Sequence, residues 1–157
     1  MKISVITAVF NNRAHIAEAL DSLLAQDHAD VERVVIDGGS TDGTLDILRA
    51  RQDRLGVLVS EPDRGLYDAL NKGLRLARGD VVGFLHSDDL FADAAVLSRV
   101  AAAFADPAVC AVYGDLQYVR KGDTRRVVRH WKSEPFRARL LARGWMPPHP
   151  SLYVRRE

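Results

Sequence analysis

The chain has a single cysteine and no long apolar run, and both absences narrow what it can be. Because Cys110 is alone, no internal disulfide can form, and within the apolar stretch AVCAVYG we expect a buried structural thiol. The apolar stretches reach only strand length, far short of the roughly 20 residues that cross a bilayer. We therefore expect neither a membrane-spanning helix nor a signal peptide, and a cytoplasmic protein.

Common nucleotide-binding and nucleic-acid-binding patterns are also missing. The first apolar segment is not followed by GxGxxG, and the chain has no GxxxxGK[ST] loop. Aromatic residues make up only 7% of the chain, and none interleave with Lys72, Arg75 and Arg78, which nearby acidic residues balance. The sequence excludes a dinucleotide fold or a Walker loop of the usual kind and predicts no nucleic-acid partner.

What is present fits one globular domain with an uneven charge. The 157 residues are 47% hydrophobic and 27% charged, enough for one substantial core. Residues 1–118 carry 11 Lys and Arg against 18 Asp and Glu, whereas residues 119–157 carry 11 against 3. We interpret 1–118 as an α/β core and 119–157 as a basic extension of the same domain, with a partner-binding role.

Short, β-branched segments alternate with helical patterns along the first 115 residues. Five strands are predicted at KISVITAVF, VERVVID, LGVLVS, DVVGFLH and AVCAVYGD. Helical stripes occupy 16–24, 66–77 and 96–104, the last with Asp93 as its expected N-cap. This order predicts a doubly wound, mostly parallel sheet with helices on both faces. A hairpin turning at 121–123 and a short helix at 135–143 are expected next.

Polar residues follow the first two predicted strands. Asn11 and Asn12 lie in the first loop, where we favour a simple turn with Asn capping the helix. Asp37 ends the second strand before two glycines; it fits a hydrogen-bond acceptor for a nucleobase or ribose and equally a capped turn. Because ligands of such folds bind outside the carboxyl ends of the strands, both loops are candidate site segments.

Two adjacent carboxylates, Asp88 and Asp89, close the fourth strand. Burying them unpaired would cost several kcal/mol, because like charges repel and lose hydration. A lone pair of this kind is most simply a helix cap. Beside Asp37 on a neighbouring strand, we favour a divalent cation that also bridges a diphosphate. After the third strand, Asp63 is expected to cap a helix from about Gly65.

Four stretches, TAVFNN, DGGSTDGT, EPDRGLYDALNKGLRLARGD and GFLHSDD, together resemble family 2 glycosyltransferases. The likeness is to the nucleotide-sugar-binding half of these GT-A fold enzymes, which assemble bacterial polysaccharides and lipid-linked glycans, and it spans about residues 2–115. MPPHPSLYVRRE resembles a subgroup in which a histidine loop precedes an apolar-aromatic strand. The resemblance implies a donor such as a UDP-sugar and the cofactor Mn²⁺ or Mg²⁺.

The resemblance also assigns residues to this site. Asp89 would be the principal metal ligand, and Asp88 would face the ribose or the metal. His149 would approach the metal or diphosphate from the far side, although a neutral surface histidine fits equally well. The implied nucleotide-binding residues are Ala8, Val9, Asp37, Arg64, Gly65, Asn71 and Asp88.

The reaction implied is inverting transfer of the sugar to a hydroxyl of a glycan or lipid-linked acceptor. The chain departs from the family pattern, because its relatives place a carboxylate base beyond the histidine loop, and this sequence looks short there. By position the candidates are Asp115 and, less so, Glu134, and neither matches the family's base. The catalytic residue is left unassigned, and the alternative is a nucleotide-sugar-binding module without turnover or a truncated fragment.

The segment 135–145, PFRARLLARGW, combines apolar residues with three arginines. As a short amphipathic helix it would either cover the sheet or lie in an anionic membrane interface, and the first of these is favoured. Membrane contact would place the protein at the inner face of the cytoplasmic membrane and would suit a lipid-linked acceptor.

Overall fold

The computed structural model describes residues 1–156 and has a six-stranded sheet at its centre. Its strands run in the order β3-β2-β1-β4-β8-β5, and a separate hairpin pairs β6 with β7. The strands are β1 (Ile3–Val9), β2 (Val31–Asp37), β3 (Val57–Ser60), β4 (Val81–Phe84), β5 (Ala111–Val112), β6 (Leu116–Arg120), β7 (Asp123–Trp131) and β8 (Tyr153–Arg155). The α-helices are α1 (Ile16–Leu24), α2 (Thr44–Arg49), α3 (Leu66–Leu76), α4 (Val96–Ala103) and α5 (Ala138–Leu141).

Helices cover both faces of the sheet, which confirms the α/β fold class. Alternate side chains of β1 point to opposite faces: Ile3 and Val5 pack with residues of α1 and α4, whereas Ile6 and Ala8 pack with residues of α3. All seven residues of β1 are buried, as expected for a central strand covered on both sides. The central strands are therefore packed on both sides, and their pairing holds their carboxyl ends in register.

The sheet is mixed because β8 lies between β4 and β5 and runs antiparallel to both. Tyr153 of β8 is opposite Gly83 of β4, and its ring occupies the place where a Cβ on Gly83 would stand. The predicted fifth strand shrinks to the two residues of β5. At this sheet edge Cys110 is exposed, so the expectation of a buried thiol is wrong.

The hairpin is confirmed, and the helix predicted at 135–143 is only partly formed. Gly122 turns the hairpin with a φ of +80°. Only Ala138–Leu141 are helical; Gly144, at φ +74°, lies just beyond this short helix. Among residues 1–156, no helix has the length and apolar character that crossing a bilayer requires.

Candidate functional site

The carboxyl ends of the parallel strands form one edge that carries the polar loops. Val9, Asp37 and Ser60 are register partners across β1, β2 and β3. Leu85, just after β4, donates its N–H to the carbonyl oxygen of Ile6 at 3.0 Å, so the loop after β4 leaves the sheet at the same edge. The sheet register thus gathers the expected nucleotide-binding and metal-binding segments.

Asp37 is fully buried and organises the loop after β2. Its Oδ2 accepts the hydroxyl of Ser60 at 2.6 Å and the N–H groups of Ser40 and Gly39 at 3.1 and 3.3 Å. Its Oδ1 accepts a single long bond from Ser40 N–H at 3.4 Å. The carboxylate therefore caps the turn, and one of its oxygens retains most of its capacity to accept a hydrogen bond.

Asn11 and Asn12 join neighbouring loops along the edge. Asn11, at φ +47°, accepts the N–H of Thr41 on its Oδ1 at 2.8 Å, and Asn12 donates from Nδ2 to the hydroxyl of Ser87 at 2.8 Å. The N-cap of α1 is His15, without a side-chain cap. The expectation that an asparagine side chain caps α1 is therefore wrong.

The loop before α3 packs against the loop after β2. Asp63 accepts the N–H of Gly65 at 2.8 Å, and its other oxygen lies where a Cβ on Gly38 would be. Gly65, at φ +107°, is the N-cap of α3, so the expected start of this helix is confirmed, but no side chain of residues 1–156 caps it and the expectation that Asp63 does so is wrong. The Arg64 side chain is 90% exposed, 3.7 Å from Asp68. Asn71 is exposed on the second turn of α3.

The turn after β4 presents the paired carboxylates without protein partners. The N–H of Asp89 bonds to the carbonyl oxygen of His86 at 3.0 Å, which closes a tight turn. Asp88 is exposed and Asp89 half-buried, and neither side chain accepts a hydrogen bond from another residue in 1–156. α4 begins only at Val96, so neither caps a helix. The expected cap Asp93 lies before the true N-cap, Ala95, and accepts its N–H.

Electrostatics set Asp89 apart from an ordinary surface acid. Burial and the neighbouring charge of Asp88 raise the pKa of Asp89, while His86 and His149 act in the opposite direction. The ring centroids of His86 and His149 are 5.4 Å apart in an edge-to-face arrangement. The C-terminal loop therefore brings His149 near the carboxylate pair, and its role there stays a prediction. His86 was missed, although it directly precedes the Ser-Asp-Asp sequence.

The donor set suits a cation that a second ligand shares. Within residues 1–156 no three His, Cys, Asp or Glu side chains are arranged to hold a metal by themselves. A magnesium-like ion commonly takes one or two protein carboxylates and completes its shell with phosphate oxygens and water. Asp88 and Asp89, whose side chains have no hydrogen-bond partners in that range and of which Asp89 is half-buried, fit this pattern of protein carboxylates completed by phosphate and water.

The candidate base Asp115 is already engaged. Its Oδ1 accepts the N–H of Ser133 at 2.8 Å, and its Oδ2 lies 3.2 Å from His130 Nε2. The Ser133 hydrogen bond first, and the positive environment of His130 and Lys132 second, lower the pKa of Asp115. A lower pKa makes it a weaker proton acceptor. Glu134 is exposed.

Two exposed aromatic rings at this edge were not singled out from the sequence. Phe10, directly after β1, is 62% exposed and lies near Gly38, and Tyr67, in the first turn of α3, is 80% exposed. Aromatic side chains of this size are usually at least partly covered. Phe10 lies inside the stretch TAVFNN and Tyr67 inside EPDRGLYDALNKGLRLARGD, and this position was the only available signal.

Comparisons with known proteins agree with this geometry. The chain is 40% identical over 117 residues to a PGL/p-HBAD biosynthesis glycosyltransferase of Mycobacterium tuberculosis, a match that covers 72% of this chain and 46% of the relative. An uncharacterized glycosyltransferase of Nostoc sp. is 37% identical over 94 residues, covering 58% and 29% of the two chains. The chain spans about half the length of the mycobacterial relative.

Solved structures show the same fold. Staphylococcus aureus TarS 1–349 in complex with UDP-GlcNAc matches with a TM-score of 0.68 and 30% identity over 78% of this chain and 36% of TarS. The mannosyltransferase PcManGT from Pyrobaculum calidifontis, in complex with GDP-Man and Mn²⁺, matches with a TM-score of 0.66 and 34% identity over 79% and 37%. The model for the family described as Glycosyl transferase family 2 matches residues 4–153, and the chain belongs to that family.

Proposed function

We propose that this chain is the donor-binding part of an inverting, metal-dependent glycosyltransferase that uses a nucleotide-sugar, with UDP as the expected nucleotide. The observation that carries the proposal is the pair Asp88 and Asp89, whose side chains accept no hydrogen bond from residues 1–156 and stand near His149 at the ligand-binding edge of the sheet. Relatives in complex with UDP-GlcNAc and with GDP-Man and Mn²⁺ support a nucleotide-sugar donor.

The nucleoside is assigned to the edge formed by β1, β2 and the start of α3. The backbone at Ala8 and Val9 and the carboxylate of Asp37 are proposed to orient the base; because Asp37 is fully buried, its Oδ1 would reach the base only after the loop that covers it shifts. The exposed ring of Phe10 offers a stacking surface. Arg64, Gly65 and Asn71 are proposed to line the same pocket, with the 90% exposed Arg64 guanidinium exchanging its 3.7 Å contact with Asp68 for a phosphate.

The diphosphate is assigned to the turn after β4. Asp89 would be the principal ligand of Mn²⁺ or Mg²⁺, with Asp88 and His149 beside it. When bound, the ion supplies positive charge against the diphosphate that leaves. Asn12 fixes this turn relative to the nucleoside loops through its 2.8 Å bond to Ser87, so the two halves of the donor are held at one spacing.

Transfer breaks one bond and forms another. The oxygen of an acceptor hydroxyl bonds to the anomeric carbon while the bond from that carbon to the diphosphate oxygen breaks, which inverts the configuration and releases the nucleoside diphosphate. The hydroxyl proton passes to a general base. Asp115 is the candidate by position, and its bonds to Ser133 and His130 make it a poor one.

The acceptor is proposed to be a glycan or lipid-linked hydroxyl. The core 1–118 would hold the donor and the segment 119–157 part of the acceptor region, with β8 returning into the sheet beside β4. Membrane contact through 135–145 is the alternative to this segment covering the sheet, and covering the sheet stays the favoured arrangement. Phe136 and Leu141 are 58% and 57% exposed, whereas Trp145 packs against Tyr113 with ring centroids 5.7 Å apart.

Calorimetry with UDP, with and without Mn²⁺, tests the site. We expect Asp89→Ala to lower the affinity for UDP in the presence of Mn²⁺ about tenfold or more. Asp37→Ala should weaken UDP binding even without metal. Asp53→Ala is the control, because Asp53 is an exposed carboxylate just before β3, at the opposite end of that strand from Ser60. Unchanged Mn–UDP affinity of Asp89→Ala would refute the ligand assignment. Binding of a UDP-sugar without turnover would favour a binding module.

A further inference from the structure

The hairpin of β6 and β7 stands outside the main sheet and exposes apolar residues on one face. Its register pairs Tyr118 with Arg129 and then shifts to pair Val119 with Val127, so Val128 is the extra residue of a β-bulge. Because Tyr118 and Arg129 share one face, Val119 and Val128 lie on the other, and Val127 joins them. The three valines are 38%, 45% and 62% exposed.

The opposite face of the hairpin is the one tied to the molecule. Leu116 and Trp131 are register partners on that face, and both are partly buried. The guanidinium of Arg129 lies 5.3 Å from the centroid of the Tyr118 ring, which covers that aromatic surface. This face is therefore covered at the base of the hairpin, while Tyr118 further along it is 43% exposed, and the valine face is the more apolar of the two exposed faces.

Cationic residues are interspersed with the valines along the hairpin, on both of its faces. Residues 116–132 contain one acidic residue, Asp123, which is paired with Arg125 at 3.3 Å. The basic residues of the hairpin are Arg120, Lys121, Arg125, Arg126, Arg129 and Lys132. Charges on hairpin edges also discourage pairing with other strands. Charges of either sign would serve that purpose, so a nearly uniform positive sign needs a further reason.

We propose that the valine face of the hairpin, Val119, Val127 and Val128 with the interspersed cations, docks on an anionic lipid surface. A soluble polyanion would engage the cations and leave the valines in water, and an apolar protein partner would not need charge of a single sign. An interface of anionic headgroups over acyl chains uses both features. The inference is independent of the transferase proposal and places the contact on the hairpin, distinct from 135–145.

Vesicle sedimentation tests the proposal with the full chain. We expect binding to phosphatidylcholine vesicles that contain phosphatidylglycerol, little binding to phosphatidylcholine alone, and loss of binding as salt rises. Arg125→Gln with Arg126→Gln should weaken binding about 10- to 30-fold, because each basic residue near an anionic surface contributes about 1 kcal/mol. Arg49→Gln with Arg54→Gln, an equal change in charge at an exposed site in the first 60 residues, should change it less than about twofold.

The valines separate a membrane from other partners. Val127→Ser with Val128→Ser keeps the charge and should weaken vesicle binding about tenfold while the salt dependence stays. Unfolding temperature and UDP binding check that each variant is folded. Three results would overturn the proposal: no preference for anionic vesicles, vesicle binding by the valine variant equal to the parent, or loss of binding only in Phe136→Ser with Leu141→Ser. The second result, together with competition by a single-stranded oligonucleotide, would identify a general polyanion surface.

Discussion

The carboxylate of Glu32 links β1, β2 and the turn before β4, and the loss of stability on removing its charge can be predicted from these bonds. It is 8% exposed on β2, and its Oε2 accepts the hydroxyl of Ser4 on β1 and, at 2.6 Å, the N–H of Arg78. The Ser4 oxygen in turn accepts the N–H of Gly79 at 2.7 Å, just before β4. The network joins β1 and β2 to the turn that leads into β4.

Glu32→Gln keeps the shape and removes the charge. Hydrogen bonds to a charged group contribute about 1 kcal/mol more than neutral ones, so two such bonds predict a loss of about 2 kcal/mol at pH 7. For a chain of this length the unfolding temperature should fall by about 4–8 °C. Glu18→Gln, on the exposed face of α1, should change stability by less than about 0.5 kcal/mol.

The same substitution has a distinctive pH dependence. Burial raises the pKa of Glu32, but the bonds from Ser4 and Arg78 and the charges of Lys2 and Arg78 outweigh it, so the folded-state pKa lies below the unfolded value of about 4.5. The stabilisation is therefore complete above pH 4.5 and disappears as the pH falls through the folded-state pKa. Urea unfolding should show the parent and Glu32→Gln converging in acid. If the difference in unfolding free energy between the parent and Glu32→Gln were as large in acid as at pH 7, the assignment of the stabilisation to the Glu32 charge would be refuted.

Three further predictions concern the site and its support. Gly83→Ala should destabilise the protein by about 1–3 kcal/mol, because the new Cβ meets the Tyr153 ring, and thermal unfolding in a Tyr153→Leu background should show a smaller cost. Asn12→Ala should lower the affinity for Mn–UDP about 3- to 10-fold in calorimetry, because Ser87 loses its hydrogen bond. If the unfolding free energy fell by as much as the binding free energy, the effect would be one of folding and would contradict this prediction. His149→Ala should weaken Mn–UDP binding and leave UDP binding without metal unchanged, whereas equal losses in both would assign His149 to the nucleotide.

The central elements were predictable because periodic burial determines them. β1 to β4 and the helices α1, α3 and α4 follow from short apolar runs and from i, i+4 stripes, and all are confirmed within a few residues. The position of β8 was not predictable, because a three-residue strand has no period. Its place depends on a ring filling the space above Gly83, more than 60 residues away in sequence.

The errors share a physical origin. The predicted burial of Cys110 assumed a full-length fifth strand, but β5 pairs over only two residues at the sheet edge and leaves the thiol exposed. The helix expected at 135–143 had an apolar stripe but too few residues before Gly144 to gain from helix cooperativity. In both cases the local pattern was right, and the tertiary contacts needed to extend it are lacking.

The loops of the site break local rules, and this departure is itself informative. Asn11 adopts a left-handed conformation, which costs a non-glycine residue of order 1 kcal/mol. A helix cap would have satisfied the asparagines locally, as we expected. Instead, Asn11 hydrogen-bonds to Ser40 and Thr41, and the side chain of Asn12 to Ser87. Both residues therefore link their loop to other loops. Such an arrangement persists where several strands must hold one ligand at fixed spacing, and it lies between the proposed nucleoside pocket and the proposed diphosphate turn.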